Sequence, residues 1–396
     1  MEEANGAPAP ALQADLLSSR RDERGEFRAL TACRGIAALT VAIYHILNEH
    51  YSGLGMRLTG PIGKAYLCVD FFFVLSGFVI AFAYRGYFTG RFQIQDYMKF
   101  MIRRIARIYP LYFSVLTFAI GYTLTIYGNF HSGTRPALQS HSPLAVSIVN
   151  YLLIFDWGIR VHGFLGVAWS LSAEMAAYVV FPLLLWVSFA RRRSVWAAVS
   201  IVALCALSAA YSRHRTLDIF EGFPSLVRCL AEFTLGILVF RIYLSGSMWS
   251  VRIGSDAALT AIFLVAAVSL LALRSDMIVA LSFPALVLCL ARNRGVVARL
   301  LETKPFHWLG LISYSVYLVH PELQHIAVYL DRIFDEYAWP PTLSLFSATA
   351  VTTVLILVTS YATFSWIEVP GRKIVRRIGA RFGRPISPAL APNTSS

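Results

Sequence analysis

Residues 29–50 read ALTACRGIAALTVAIYHILNEH, an apolar stretch long enough to cross a membrane as a helix. This stretch contains two ionisable residues, Arg34 and His45. In an α-helix, eleven positions at about 100° each return to nearly the same face, which places these two side chains about 16 Å apart along the axis. Ionisable groups inside a span are unfavourable by several kcal/mol unless they are paired or line a watery cavity, so this shared face predicts a functional site.

The composition indicates a polytopic membrane protein. Of the 396 residues, 57% are hydrophobic and only 14% are charged, and the mean hydropathy is +0.60. The five cysteines occur singly, without a CxxC pair or the His/Cys spacing of zinc sites, so we expect no metal and no bound cofactor. We interpret the net charge of +13 as a marker of orientation in the membrane and expect no nucleic acid partner.

Apolar runs of about 17 to 25 residues predict an all-α fold with about ten transmembrane helices. Most of the 35 lysines and arginines fall on the side of these spans that also holds both termini, and this side is therefore predicted to be cytosolic. The predicted spans are residues 29–50, 64–84, 109–128, 168–189, 195–211, 223–244, 254–273, 276–291, 306–330 and 341–366.

The spans divide the chain into three predicted segments. A polar cytosolic tail covers residues 1–26, a membrane domain covers residues 27–370, and a basic, then Pro/Ser-rich cytosolic tail covers residues 371–396. Residues 144–156 are apolar but number only 13, so we expect a re-entrant or interfacial segment on the outer side. We expect no appended soluble domain.

Further ionisable residues within the predicted spans reach a depth similar to that of His45. Asp70 and Glu174 lie in the outer halves of the second and fourth spans, and His320 lies at comparable depth in the ninth. An imidazole exchanges a proton near neutral pH, so His45 is predicted to be a general base that Asp70 or Glu174 orients. For His320 the sequence leaves two alternatives open, a hydrogen bond that only links helices and a place in the site.

Two further groups of charged residues recur at helical spacing. Arg228 and Glu232 are four residues apart in the sixth span and predict a structural ion pair. A cationic stripe is predicted on an interfacial helix that ends before Pro110. It consists of Lys99, Arg103 and Arg107. Such a stripe either anchors the chain on anionic lipid or binds an anion such as a phosphate group.

Several short motifs occur in a fixed order along the chain. They are Arg34 and His45 with ten residues between them, VDFFFVLSGF (69–78), RRIARIYPLY (103–112), WSLSAE (169–174) followed by Tyr178 and Phe181-Pro182, Arg228 with Phe233 and Gly236, SYSVYLVH (313–320) and IEVP (367–370). Together these motifs resemble the acyltransferase 3 family, whose members are integral-membrane enzymes that acylate sugars and other acceptors at bacterial cell surfaces. The resemblance covers residues 27–368, with a departure at Met175, where a second glutamate is common.

The resemblance implies a mechanism and roles for individual residues. Acyl-CoA, in the simplest case acetyl-CoA, would approach from the cytosol as co-substrate, and a glycan or lipid-linked sugar would be the acceptor at the outer face of a bacterial inner membrane. The implied catalytic residues are His45, Asp70 and Glu174. The implied donor-binding residues are Arg34, Arg103, Arg104, Arg107 and Tyr112. The candidates for the acceptor site are Trp169, Tyr317 and His320.

Two functions are compatible with these features. In a membrane O-acyltransferase, His45 either takes the proton of a sugar hydroxyl or carries the acyl group transiently, and Arg34 stabilises the donor or the developing oxyanion. In the alternative, a proton-coupled transporter or flippase for a glycolipid or small anion, the buried ionisable residues form a proton relay. Acceptor-dependent cleavage of the thioester separates the two hypotheses.

Overall fold

The structure is a computed structural model that describes residues 27–88, 92–127, 143–159, 161, 163–220 and 222–380. Over these residues it contains helices and no strands, so the predicted all-α class is confirmed. The predicted N-terminal tail and the part of the C-terminal tail from residue 381 lie outside the described residues. The helices are α1 (Arg28–Gly53), α2 (Cys68–Phe88), α3 (Ile94–Tyr127), α4 (Pro143–Tyr151), α5 (Trp169–Ser188), α6 (Arg193–His214), α7 (Gly222–Ser245), α8 (Met248–Arg252), α9 (Asp256–Val268), α10 (Asp276–Arg292), α11 (Val296–Leu301), α12 (Lys304–Leu323), α13 (His325–Glu336), α14 (Pro341–Thr363) and α15 (Val369–Ala380).

Eight helical segments in the described part of the chain are long and apolar enough to cross a membrane, which confirms a polytopic membrane protein. They correspond to α1 to α3, α5 to α7, α9 and α14. The other two predicted spans are also helical, but α10 has only 17 residues, and the 20 residues of α12 contain no stretch of membrane length that is apolar enough. The predicted span 306–330 is divided at Gln324, where α12 ends and the amphipathic helix α13 begins.

Two close helix crossings organise the bundle, and glycine makes both possible. A Cβ atom added to Gly310 in α12 would lie 2.1 Å from the carbonyl oxygen of Thr31 in α1, and one added to Gly35 would lie 2.5 Å from the nitrogen of Gly310. A Cβ atom added to Gly77 in α2 would lie 2.0 Å from the carbonyl oxygen of Phe233 in α7. Because glycine has no side chain, the helix backbones are in direct contact at these positions. Membrane helices often associate through such small residues, since the hydrophobic effect does not drive helices together within lipid. The crossings fix α1 on α12 and α2 on α7.

The prediction that the basic helix ends before Pro110 is wrong, because α3 continues through this proline as one helix of 34 residues. Proline removes one backbone hydrogen bond, and a helix packed inside a membrane protein tolerates this when neighbouring elements cover the site. Here α15 covers it: a Cβ atom added to Gly371 would lie 2.4 Å from Cβ of Pro110. Residues 371–380 are therefore part of a packed helix, where the sequence had predicted the start of a tail.

The apolar segment 144–156 does not cross the bundle. Its helix, α4, has nine residues and is therefore only about 14 Å long. The chain then turns at Leu153, whose φ is 57°. Asn150 holds the turn, since its side chain donates to Val146 O (2.9 Å) and accepts from the N–H of Phe164 (2.9 Å). This geometry is consistent with the predicted re-entrant or interfacial segment.

Candidate active site

Two histidines from different helices meet in the bundle. Nε2 of His320 lies 3.2 Å from Nδ1 of His45, and the ring centroids are 5.0 Å apart. On each helix the histidine lies ten residues after the contact glycine. Two parallel helices that touch at Gly35 and Gly310 therefore also meet at the two histidines. The structure therefore places His320 in contact with the predicted general base, while its part in the reaction stays a prediction.

Backbone carbonyls decide which nitrogens of the two rings carry hydrogen. Nδ1 of His45 lies 3.0 Å from Val41 O, and Nδ1 of His320 lies 3.1 Å from Val316 O. A carbonyl oxygen only accepts hydrogen bonds, so both Nδ1 atoms are donors. Nε2 of neutral His320 is then an acceptor. The N–H at Nδ1 of His45 forms a bifurcated hydrogen bond, to Val41 O and to Nε2 of His320. The remaining nitrogen of neutral His45, Nε2, keeps a lone pair and can act as a base.

His45 lines a cavity of about 900 Å³, here called the histidine cavity. Its volume is within the range of pockets that bind small molecules. Its wall combines aromatic rings, which suit the faces of sugar rings, with a few polar side chains. These include Tyr44, Tyr66, Trp169, Asp218, Arg228 and Tyr317. Two of the predicted acceptor-site residues, Trp169 and Tyr317, are therefore at this cavity.

Arg34 lines a second, narrower cavity of about 150 Å³, here called the arginine cavity. Its guanidinium donates from Nε to Ser313 Oγ (2.9 Å) and from Nη2 to Gly310 O (3.0 Å). Arg104 and Arg107 line the same cavity. The structure thus brings together three of the predicted donor-binding arginines from α1 and α3. The arginine and histidine cavities share Val69 and Tyr317 as lining residues, so the two cavities are adjacent at these side chains.

Arg104 and Arg107 of α3 have different hydrogen-bond partners. Arg107 donates from Nη1 to Oε1 of Glu368 (2.6 Å), a fully buried carboxylate that also receives hydrogen bonds from Ser315 and Arg372. This contact accounts for the glutamate of the IEVP motif. Arg104 donates to Tyr84 OH (2.8 Å), while its buried Nε has no hydrogen-bond partner within the described residues. Arg104 thus has hydrogen-bonding capacity that the described residues do not use.

Arg103 and Tyr112 lie apart from the lining of the arginine cavity. The Arg103 guanidinium stacks on the rings of Tyr84 and Tyr87, at 5.9 and 5.7 Å from their centroids. Tyr112 is buried and donates its hydroxyl hydrogen to Asn150 O (2.8 Å). The structure therefore gives Tyr112 a role in fixing the turn after α4, and it does not bring this residue to the predicted donor site.

Asp70 does not contact His45 in the described structure, contrary to the expectation that it orients the imidazole. Its carboxylate binds Arg228 through two hydrogen bonds of 2.8 and 2.5 Å, and both side chains are buried. The predicted pair of Arg228 with Glu232 is therefore replaced by a bidentate pair between α2 and α7. The glycine crossing at Gly77 explains this, because it brings the two helices close enough for the guanidinium to reach Asp70.

Glu174 also lies away from His45. It accepts a hydrogen bond from Ser76 and lines the arginine cavity, together with Tyr178. Neither carboxylate of the predicted catalytic set is hydrogen-bonded to His45 among the described residues, and His320 occupies the position of the orienting group. The sequence predicts comparable depth for His320 and His45 but gives no signal that the two are partners, because 275 residues separate them.

Known proteins resemble this chain over most of its length. The family model of the acyltransferase 3 domain, described as an acyltransferase domain, matches residues 27–361. Acyltransferase MdmB of Streptomyces mycarofaciens is 29% identical over 395 residues, covering 92% of this chain and 95% of that protein. YrhL of Bacillus subtilis strain 168, named as a candidate peptidoglycan O-acetyltransferase, is 24% identical over 342 residues, covering 78% of this chain and 50% of that protein. No solved structure matches the chain.

The family match extends over most of the chain and includes the lining residues of both cavities. An enzyme activity replaces the alternative of a transporter or flippase. With eight membrane-length helices in its described part, the chain belongs to the acyltransferase 3 family and is a multi-pass membrane O-acyltransferase.

Proposed function

We propose that the protein transfers an acetyl group from acetyl-CoA, bound at the arginine cavity on the cytosolic side, to a hydroxyl group of a sugar in the histidine cavity. The observation that supports this proposal is that the two cavities are adjacent and share Val69 and Tyr317 in their walls. A donor held by cationic side chains and an acceptor held beside a base can react only where their sites meet. The family supports an acyl donor and a glycan acceptor, and the nature of each belongs to the proposal.

The arginine cavity fits the narrow part of the donor. At about 150 Å³ it is below the usual size of a pocket for a whole nucleotide, so we assign it to the thin pantetheine arm. The nucleotide phosphates would stay at its mouth, where guanidinium groups match phosphate geometry. Arg104 lines the cavity, and its guanidinium adds positive charge that attracts the phosphates. Arg34 and His45 are about 16 Å apart along α1, a distance that the arm would bridge with its thioester end toward Tyr317.

His45 would perform the proton transfer. Its Nε2 takes the proton of the acceptor hydroxyl while the oxygen attacks the thioester carbonyl carbon, and the new C–O bond forms as the C–S bond breaks. The proton then passes from His45 to the departing thiolate, so that the products are the O-acyl sugar and free CoA. His320 accepts the hydrogen bond from Nδ1 throughout, and this bond stabilises the transient imidazolium.

The test is acetyl transfer by the purified protein in lipid nanodiscs. CoA release is measured with a thiol reagent, and mass spectrometry follows acetylation of surface glycans from cells with and without the protein. His45→Ala should lower acceptor-dependent CoA release by a factor of about 10² to 10⁴ and leave the thermal unfolding unchanged. His214→Ala, which removes an exposed histidine at the end of α6, is the matched control. Equal rates for His45→Ala and the wild type refute the assignment.

A further inference from the structure

The loop between α6 and α7 presents a carboxylate to the histidine cavity. Asp218 lines this cavity, and its backbone N–H donates to Thr216 Oγ1 (3.0 Å). Within the described part of the chain its carboxylate accepts no hydrogen bond and forms no ion pair. The proton transfer at His45 does not use this side chain. Its position in a reaction cavity therefore calls for a different explanation.

A buried carboxylate holds this loop in place. Asp276 at the start of α10 is 1% exposed, and four donors converge on it. They are Lys64 Nζ (2.8 Å), Tyr66 OH (2.7 Å), Thr216 Oγ1 (2.9 Å) and the N–H of Leu217 (2.9 Å). The two residues that precede Asp218 are thus fixed to α10 and to the chain before α2. Asp218 is presented from a rigid support, as a binding group is in a preorganised site.

The rings of Tyr44 and Tyr66 line the histidine cavity together with Asp218 and His45. The ring of Tyr44 lies 4.9 Å from that of His45 and 6.3 Å from that of Tyr66. The hydroxyl of Tyr66 is in turn 2.9 Å from Thr216 Oγ1. An acceptor with one hydroxyl at His45 would lie along these two rings and reach the carboxylate with its far end. Aromatic faces attract both sugar rings and cations.

The charges around Asp218 leave its carboxylate without a counter-charge of its own. Arg228 lines the same cavity but is bound by both oxygens of Asp70, and Lys64 is bound by Asp276. The Asp218 side chain is exposed at the cavity wall. Partial desolvation there raises the pKa of its carboxyl above the usual value, and the positive charge of Arg228 opposes this rise. A cation placed beside this carboxylate would restore the balance of charge.

We propose that Asp218 binds a protonated amine of the acceptor, so that the substrate class is a sugar or polyol that carries a basic amino group and is acylated on a hydroxyl. The identification of this ligand as the acceptor rests on the proposed acyl transfer at His45. The proposed subsite consists of the Asp218 carboxylate, which binds the ammonium group, and the rings of Tyr44 and Tyr66, which contact the carbon skeleton.

The experiment measures binding of two matched probes to the full chain in nanodiscs by titration calorimetry. The probes are methyl glucopyranoside and its 2-deoxy-2-dimethylamino analogue, whose tertiary amine is protonated and cannot form an amide. The cationic probe should bind at least tenfold more tightly than the neutral one. Asp218→Asn should abolish this preference, Asp218→Glu should retain much of it, and Asp335→Asn, which removes an exposed carboxylate of α13, should leave it intact.

The outcomes are separable from those of the acyl-transfer test. Equal affinities for the two probes, no binding of the cationic probe, or an equal loss in Asp218→Asn and Asp335→Asn overturns the amine subsite. His45→Ala should keep the preference for the cationic probe while it loses acetyl transfer. If the wild type prefers the cationic probe but releases no CoA, then the proposed function fails and the subsite stands.

Discussion

His320 is expected to act through His45 without touching either substrate. Its Nε2 accepts from Nδ1 of His45 at 3.2 Å, and this bond strengthens when His45 becomes an imidazolium in the transition state. A hydrogen bond to a charged group contributes about 1.5–3 kcal/mol, and each 1.36 kcal/mol changes a rate about tenfold. His320→Ala should therefore lower kcat by a factor of roughly 10 to 150 and change the KM for acetyl-CoA little.

Two further variants separate this hydrogen bond from packing. His320→Gln places an amide near the position of Nε2 and should recover part of kcat, because its oxygen can accept from His45. His307→Ala removes another histidine of α12, about 20 Å away along the helix, and serves as the matched control. The rates are measured as initial velocities of CoA release in nanodiscs, normalised to the folded fraction from thermal unfolding. A kcat of His320→Ala within threefold of the wild type, or equal rates for the Ala and Gln variants, refutes the reasoning.

Three more variants test the remaining contacts. Gly310→Ala should destabilise the protein by about 1–3 kcal/mol or more, since the new methyl group enters the backbone of α1, and thermal unfolding measures this. Arg104→Gln should raise the KM for acetyl-CoA about tenfold, because a charged donor to the phosphates is lost, and steady-state kinetics against donor concentration measures this. Asp70→Asn should destabilise the fold by about 3–5 kcal/mol, because it leaves the buried guanidinium of Arg228 without its counter-ion, while kcat per folded molecule stays near that of the wild type.

Two of these variants have a matched control elsewhere in the chain, and the third has an outcome that would contradict the prediction. Gly121→Ala adds a methyl group to α3 where nothing lies within 4 Å of the new atom, and should leave unfolding unchanged. Lys99→Gln removes a positive charge on the same helix as Arg104, where the lysine pairs with Asp96, and should leave the KM unchanged. A normal melting temperature for Asp70→Asn together with a large loss of kcat would restore the catalytic role that the sequence predicts for Asp70.

The spans and their polar positions could be predicted from the sequence because they depend on local order. Apolar length predicts a membrane helix, and eleven positions of an α-helix place Arg34 and His45 on one face whatever surrounds them. The motif order also identified the family, which the domain match confirms over residues 27–361. The sequence predicted that the helix ends before Pro110, and this was wrong. Helix α15 packs over this proline at Gly371, which is too remote in the chain for the local pattern to indicate the contact.

The partners of the buried charges were decided by tertiary structure alone. The position of a residue within a span predicts its distance from the membrane surface. It does not predict which helix lies beside that residue. Asp70 lies 158 residues from Arg228, and His45 lies 275 residues from His320. Both pairs follow from contacts between helix backbones at glycines, where a missing side chain lets remote segments touch. The sequence by itself determined a membrane acyltransferase with a histidine and an arginine on one helix; the packing of the helices determined that a second histidine, and not a carboxylate, faces the first.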